Sequence, residues 1–261
     1  MENSKKLTMS QQALGRLQAS RSDKTDPIAE AISDQVDRGI VRDNEKRERR
    51  TYLGASSIGN ECSRQTQYKY MNYPQDEGTE FSARTLRIFQ FGHEIEDYAA
   101  KWLRDAGFDL RTEEQSGKQF GFSIADGEIK GHIDGVICDG PVAMGYPSLW
   151  ECKSANDSKW KAFKNHGVAK ANSTYATQIA IYQAYMDLTD HPALFTVVNK
   201  NTSEIYYELV SFNKDLAQKS SDKAVNILTA SKANDILPRI AQSKDFFQCK
   251  FCDYRETCWK E

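Results

Sequence analysis

The sequence predicts a single α/β domain over residues 51–261, with strands of one sheet interleaved with helices. Three observations carry that expectation. The stretch QFGFSIADGEIKGHIDGVICDGP alternates apolar and polar residues between glycine-bearing turns, and SLWECKSA continues the pattern. The segment SARTLRIFQFGHEIEDYAAKWLRDAG places Leu86, Phe89, His93, Glu96 and Ala100 at steps of three or four, the spacing of one helical face. A chain of 261 residues, 39% hydrophobic and 28% charged, supplies one sizeable core and not obviously two.

Taken in order, residues 1–50 are nearly devoid of aromatics and rich in charge, which predicts a flexible or loosely helical arm. The arm ends in the basic run Lys46-Arg47-Glu48-Arg49-Arg50, which suits either phosphates or a solvated linker face. From Tyr52 the texture changes, and SSIGNECSRQTQYKYMNY predicts a Ser-capped short helix carrying Cys62, Tyr68 and Tyr70. The long helix around Gly92 comes next, followed by the alternating strands. KANSTYATQIAIYQAYMDLTD then reads as a helix and ALFTVVNKNTSEIYYELVSF as a strand pair turning at Asn199 to Ser203. A last helix, KDLAQKSSDKAVNILTASKAN, leads into a cysteine-bearing tail. There are no internal repeats and no low-complexity segments.

The charge balance of 35 Lys+Arg against 37 Asp+Glu, net −2, gives no global positive field, so any nucleic-acid contact must rest on local patches. No apolar run approaches the roughly 20 residues that span a bilayer, and MENSKKLTMSQQ lacks the apolar core of a secretory signal. A cytoplasmic protein without membrane contact is expected. Thiols stay reduced there, so the six cysteines point to metal ligands or core residues rather than disulfides.

Asp134 lies in GHIDGVIC, and 17 residues later Glu151 and Lys153 bracket Cys152 in LWECK. Period-two geometry puts Glu151 and Lys153 on one face. Hydrolysis of a phosphodiester needs carboxylates to hold a divalent metal and an amine to position or deprotonate the nucleophile, and these residues supply both. The side chain of Cys152 then points into the core while its carbonyl is free to face the metal. The same trio also suits a solvated sheet face with cross-strand ion pairs. The apolar setting favours a site, because charges in such runs need compensation.

The Asp, spacer, Glu-x-Lys arrangement resembles the signature of the PD-(D/E)XK nuclease superfamily. In YATQIAIY, Gln178 and Tyr182 stand four apart and match the Gln-x-x-x-Tyr element of RecB-like nucleases, although an ordinary amphipathic helix with Tyr182 in the core has the same spacing. FGHEIEDYAAKWLRDAG is similar to the family's first motif, in which a helical Gly is followed by an inward carboxylate or histidine. Glu96, four residues after Gly92, takes that position best. His93 shares its face and is the other candidate ligand, as well as a candidate structural histidine.

The tail CKFCDYRETCW contains Cys249-x2-Cys252-x5-Cys258, and Cys62 is the remaining cysteine outside the strands. One distant N-terminal cysteine with a C-terminal trio resembles the [4Fe–4S] centre of AddB-type nucleases and CRISPR-adaptation exonucleases. Zinc is the alternative, since four thiolates also hold it tetrahedrally. Either centre closes a loop of nearly the whole folded chain.

The resemblance spans about residues 52–261. It implies a PD-(D/E)XK core with a central mixed sheet flanked by helices, Mg²⁺ or Mn²⁺ at Asp134, Glu151 and the Cys152 carbonyl, and Lys153 positioning or activating water. Gln178 and Tyr182 are implied to orient Lys153 or a phosphate. The activity implied is end-dependent degradation of linear DNA in recombination or repair, with room for a recombination or single-strand-binding protein as partner. No Gly-x4-Gly-Lys-Ser/Thr loop is present, so no motor is expected in this chain. Lys159, Lys161, Lys164 and Lys170, interleaved with Trp160 and Phe163, suggest either a single-strand track or a solvated loop. A non-catalytic iron–sulfur or zinc DNA-binding scaffold of the same fold is the competing function.

Overall fold

In a computed structural model, which describes residues 26–260, two compact units emerge: residues 26–47 with Ser82–Leu86, and Glu48–Phe81 with residues 87–260. The expected arm before residue 26 lies outside the described residues. From Pro27 the arm is a 19-residue helix, α1 (Pro27–Glu45), opened by Asp26, whose carboxylate accepts the Ile28 N–H at 2.8 Å, and by Pro27 at the first helical position. None of its residues is buried.

The larger unit begins with β1 (Leu53–Gly54), the single turn α2 (Ala55–Ile58) and α3 (Ser63–Tyr70). The cap of α3 is not a serine: Cys62 itself occupies the N-cap, its Sγ accepting the Gln65 N–H at 3.4 Å. The glycine-containing loop between the two short helices leaves Ser56 and Ser57 one element too early to do it. The long helix α4 (Ala83–Asp105) runs unbroken through Gly92, and the chain leaves it at Gly107 with φ +93°.

Next come β2 (Leu110–Arg111), β3 (Gly121–Ile124), β4 (Ile129–His132), β5 (Gly135–Ile137) and β6 (Ser148–Ala155). The expectation of one sheet needs correction. A three-stranded sheet runs β1-β4-β3, and β5 and β6 belong to a separate five-stranded sheet. The chain changes sheets at Ile133-Asp134, where the ladder is interrupted and Asp134 accepts the Cys152 N–H through its side chain instead. Gly135 permits the crossing because a Cβ there would meet the Arg111 carbonyl oxygen at 2.8 Å.

After β6 the chain forms α5 (Asp157–His166), α6 (Val168–Ala171) and α7 (Ser173–Tyr185). The solvated-loop reading of the Lys159 region is therefore replaced by a helix, capped by Asn156 and ended at Gly167 with φ +72°. Trp160 and Phe163 are each 3% exposed, and the Trp160 indole donates to the Val197 carbonyl at 3.0 Å. Neither ring is available to stack a base, because the helix turns its apolar stripe onto the sheet.

β7 (Ala193–Asn199) and β8 (Ile205–Val210) pair antiparallel across the turn after Asn199, and α8 (Lys214–Lys232), α9 (Phe247–Lys250) and α10 (Arg255–Lys260) complete the chain. The main sheet runs β2-β5-β6-β7-β8, with β6 and β7 parallel and the other neighbours antiparallel. This is a central mixed sheet flanked by helices. One face carries Trp150 and Cys152 and packs on Ala99, Ala100 and Leu103 of α4. The other carries Leu149 and Ala155 and packs with Ile179 and Tyr182 of α7 and Ile227 of α8. β7 sits between β6 and β8 and is buried at all seven positions, as an interior strand covered on both faces must be. Among the described residues no helix is long and apolar enough to cross a membrane.

Several protein contacts hold the tail to the front of the unit. Asp76 accepts the Glu256 and Thr257 N–H groups at 2.6 and 3.0 Å and so caps α10. Tyr68, 1% exposed, lies between Tyr73 and Tyr254, with ring centroids at 4.6 and 5.4 Å. Gln67 is fully buried, and both ends of its amide are satisfied by the backbone at Asp235 and Leu237, at 2.7 and 2.8 Å.

Candidate active site and cysteine centre

Alternation along β6 puts Glu151 and Lys153 on the α7 side of the sheet and Cys152 on the other. Glu151 is fully buried, and its Oε1 accepts a hydrogen bond from the Lys153 ammonium. Its second oxygen, Oε2, is buried with no protein partner. A buried carboxylate oxygen without a donor is costly unless something positive meets it. β5 pairs with β6 only as far as Gly135 opposite Trp150, so the Cys152 N–H lies beyond that ladder and is taken by Asp134 Oδ2 at 2.8 Å. Lys153 Nζ stands 4.0 Å from the same Asp134 oxygen.

The charges follow from this packing. Burial, reinforced by the Asp134 charge and only partly offset by Lys153, pushes Glu151 up to about 8. Burial also raises Asp134, against the opposing pull of Lys153, the Cys152 N–H and His93. Burial alone would lower Lys153, but the Glu151 and Asp134 charges outweigh it and hold the ammonium above its ordinary range. Glu96 rises to about 7, by burial first and then by Asp134. Glu96 and His93 of α4 thus both lie within electrostatic reach of Asp134, and the structure brings both first-helix candidates to the same centre.

Gln178 and Tyr182 of α7 are buried at 7% and 3% exposure and are bonded to each other through their side chains. Burial and then Glu151 raise the Tyr182 phenol. Its ring presses on Gly131, where a Cβ would lie 2.9 Å from Tyr182 Cε1, and meets Phe122 edge-on at 6.0 Å. Sequence reasoning missed Tyr175, whose ring lies 5.4 Å from Lys153 Nζ. Its signal was available: Tyr175, Gln178 and Tyr182 stand three and four apart on one helical face.

Among the described residues no three His, Cys, Asp or Glu side chains converge closely enough to hold an ion as they stand. The donor chemistry nevertheless fits one. Asp134, Glu151 and Glu96 supply hard oxygen ligands of the kind Mg²⁺ and Mn²⁺ take, and the orphaned Glu151 Oε2 is the oxygen a cation would satisfy.

Four of the six cysteines share a pocket elsewhere in the unit. All six are free. Cys62, Cys249, Cys252 and Cys258 line one pocket with Arg64 and Arg239. Arg64 Nη1 approaches Cys258 Sγ at 3.6 Å, and Arg239 donates to the Cys258 carbonyl at 2.9 and 2.6 Å. Burial pushes the Cys252 thiol up to about 11. Of the four thiols, Cys258 is the one that meets a guanidinium. Cys138 and Cys152 lie apart from the pocket, Cys152 in the core against α4.

No protein-family model matches the chain, and no curated protein matches it. Among solved structures, the alkaline exonuclease of Laribacter hongkongensis aligns at 14% identity and TM-score 0.48, over 71% of this chain and 90% of that one. The same enzyme in complex with dAMP aligns at 14% identity and TM-score 0.49, with the same coverage of both chains.

Proposed function

We propose that the chain is a Mg²⁺- or Mn²⁺-dependent DNA exonuclease of the RecB-like kind. The observation that carries this reading is the buried, half-satisfied Glu151 carboxylate set against Asp134 and the Lys153 ammonium. A solvated sheet face would need no such arrangement. Asp134, Glu151 and Glu96 or His93 would hold the cation, which when bound supplies Lewis-acid polarisation of the phosphate and charge neutralisation. Lys153 acts as an ammonium: two adjacent carboxylates keep its proton on, so it orients the nucleophile and offsets phosphate charge rather than acting as the base. Tyr175 backs the ammonium with its ring, while the Gln178–Tyr182 pair closes the floor against bulk water.

End-dependence comes from the resemblance of the motif order, and linear against covalently closed DNA tests it. With Mg²⁺ or Mn²⁺, linear DNA is expected to release mononucleotides or short fragments while a closed circle survives. Equal loss of the circle would make the protein an endonuclease. Unchanged DNA of both forms would favour the scaffold reading.

The cysteine centre is proposed to be [4Fe–4S], with zinc the alternative, and its work to be structural: it joins Cys62 to the tail that Asp76 and Tyr68 already dock. Anaerobically purified protein is expected to be brown and to absorb at about 400 nm, with loss of colour on Cys258→Ser. A colourless preparation with stoichiometric zinc would replace the cluster by zinc.

A further inference from the structure

The basic run that closes the arm has a structural counterpart. Arg49 and Arg50, its last two residues, border with Lys69 a cavity of about 280 Å³. Asp253 is the one carboxylate in the lining, and Lys69 pairs with it at 3.4 Å. Three cations against one carboxylate leave the lining positive. The rest of the wall is three rings, Tyr73, Phe81 and Tyr254, with the amides of Asn72 and Gln75. Tyr254 is buried and close enough to Arg49 to feel its charge, so it forms part of the floor. Phe81 is 47% exposed and meets Phe89 edge-on at 5.1 Å, and Phe89 is exposed to the same degree.

Phe89, His93 and Glu96 stand four and three residues apart on one face of α4, so about 10 Å of helix separates Phe89 from the carboxylate centre. Cations that meet phosphates, next to open rings that accept an unpaired base, are the two requirements of single-strand binding. A duplex satisfies only the first, since its bases are already stacked on one another. An acidic peptide would use the cations and leave the rings idle.

We propose that this cavity holds one nucleotide of single-stranded DNA, on a strand that passes over Phe81 and Phe89 toward Glu96, Asp134 and Glu151. The proposal rests on the nuclease reading only for what lies at the far end of the strand. The test is therefore made in EDTA, where nothing is cleaved: anisotropy of a labelled short oligothymidylate, titrated at several salt concentrations. Phe81→Ala is expected to weaken binding about fivefold or more, as loss of a stacked base does. Arg49→Gln with Arg50→Gln is expected to lower the slope of log affinity against log salt by about 1.4, roughly 0.7 per lost phosphate contact on a single strand. Lys159→Gln with Lys164→Gln, on α5, should leave both readings within twofold. A loss in only one of the first two readings overturns the proposal, because it needs both a base and a phosphate. Equal affinity for a blunt duplex, or a larger effect from the α5 pair, overturns it as well. Cleavage by a Lys153 variant is a separate measurement, so either reading can fail while the other stands.

Discussion

Lys153→Ala is expected to lower metal-dependent release of nucleotides from linear DNA by about 10²–10⁴-fold, the range lost with one positioned catalytic group. The ammonium is bonded to a fully buried carboxylate and stands 4.0 Å from a second one. Removing it takes away the positive charge that the proposed mechanism sets against the phosphate and leaves Glu151 and Asp134 to repel each other. Both then take up protons more readily, which weakens their hold on a cation. Lys153→Arg keeps the charge but spreads it over a planar fork whose donors are set differently from those of an ammonium, so only partial activity should return. Initial rates at saturating Mn²⁺, with Glu151→Gln alongside, decide the matter. Wild-type rates in Lys153→Ala would sink the catalytic reading.

The second large effect concerns pH and metal together. In the metal-free protein Glu151 is raised to about 8 and Glu96 to about 7. Both values lie above the ordinary carboxylate range, so between roughly pH 4.5 and 8 the folded chain binds more protons than the unfolded one. Their contribution is complete below the unfolded pKa and is lost as pH rises through the folded values. A tenfold difference in proton affinity between the folded and unfolded chain is worth about 1.4 kcal/mol, and Glu96, still partly in contact with water, contributes the smaller part. In EDTA, Tm is therefore expected to fall by on the order of 5–10 °C between about pH 5 and about pH 8.5. Mg²⁺ or Mn²⁺ should restore it at the higher pH and do little at the lower, because protons and cation compete for the same oxygens. Thermal melts at both pH values, with and without metal, read this directly. A flat Tm in EDTA, or equal rescue at both pH values, would remove the buried carboxylates as its source.

Much of this was open to a reader of the sequence, and where it was not the cause is physical. Helical and strand periodicity placed α4, α7, α8 and the β7–β8 turn, because those segments bury a face whose repeat is local. The short helix α5 was hidden by its lysines, although Asn156 at its start and Gly167 at its end mark it. The Ser-rich segment misled about the α3 cap, since Cys62 can accept the same N–H that a serine would. The division of the strands between two sheets had no local signal: β4 and β5 are separated by only Ile133 and Asp134.

By itself, then, the sequence determined the long helices and the main strands, the spacing of Asp134, Glu151 and Lys153, the alternation that sends Cys152 away from them, and the one-plus-three order of the cysteines. These depend on neighbours a few residues apart. Only the tertiary structure decided that Asp134 leaves its strand to take the Cys152 N–H, that Glu151 is wholly buried with one oxygen unmet, that Glu96 and His93 reach the same centre, and that Tyr175 lies over Lys153. Those facts depend on which strand ends beside which and how closely a helix packs on a sheet, and burial of that kind arises from contacts across the whole chain.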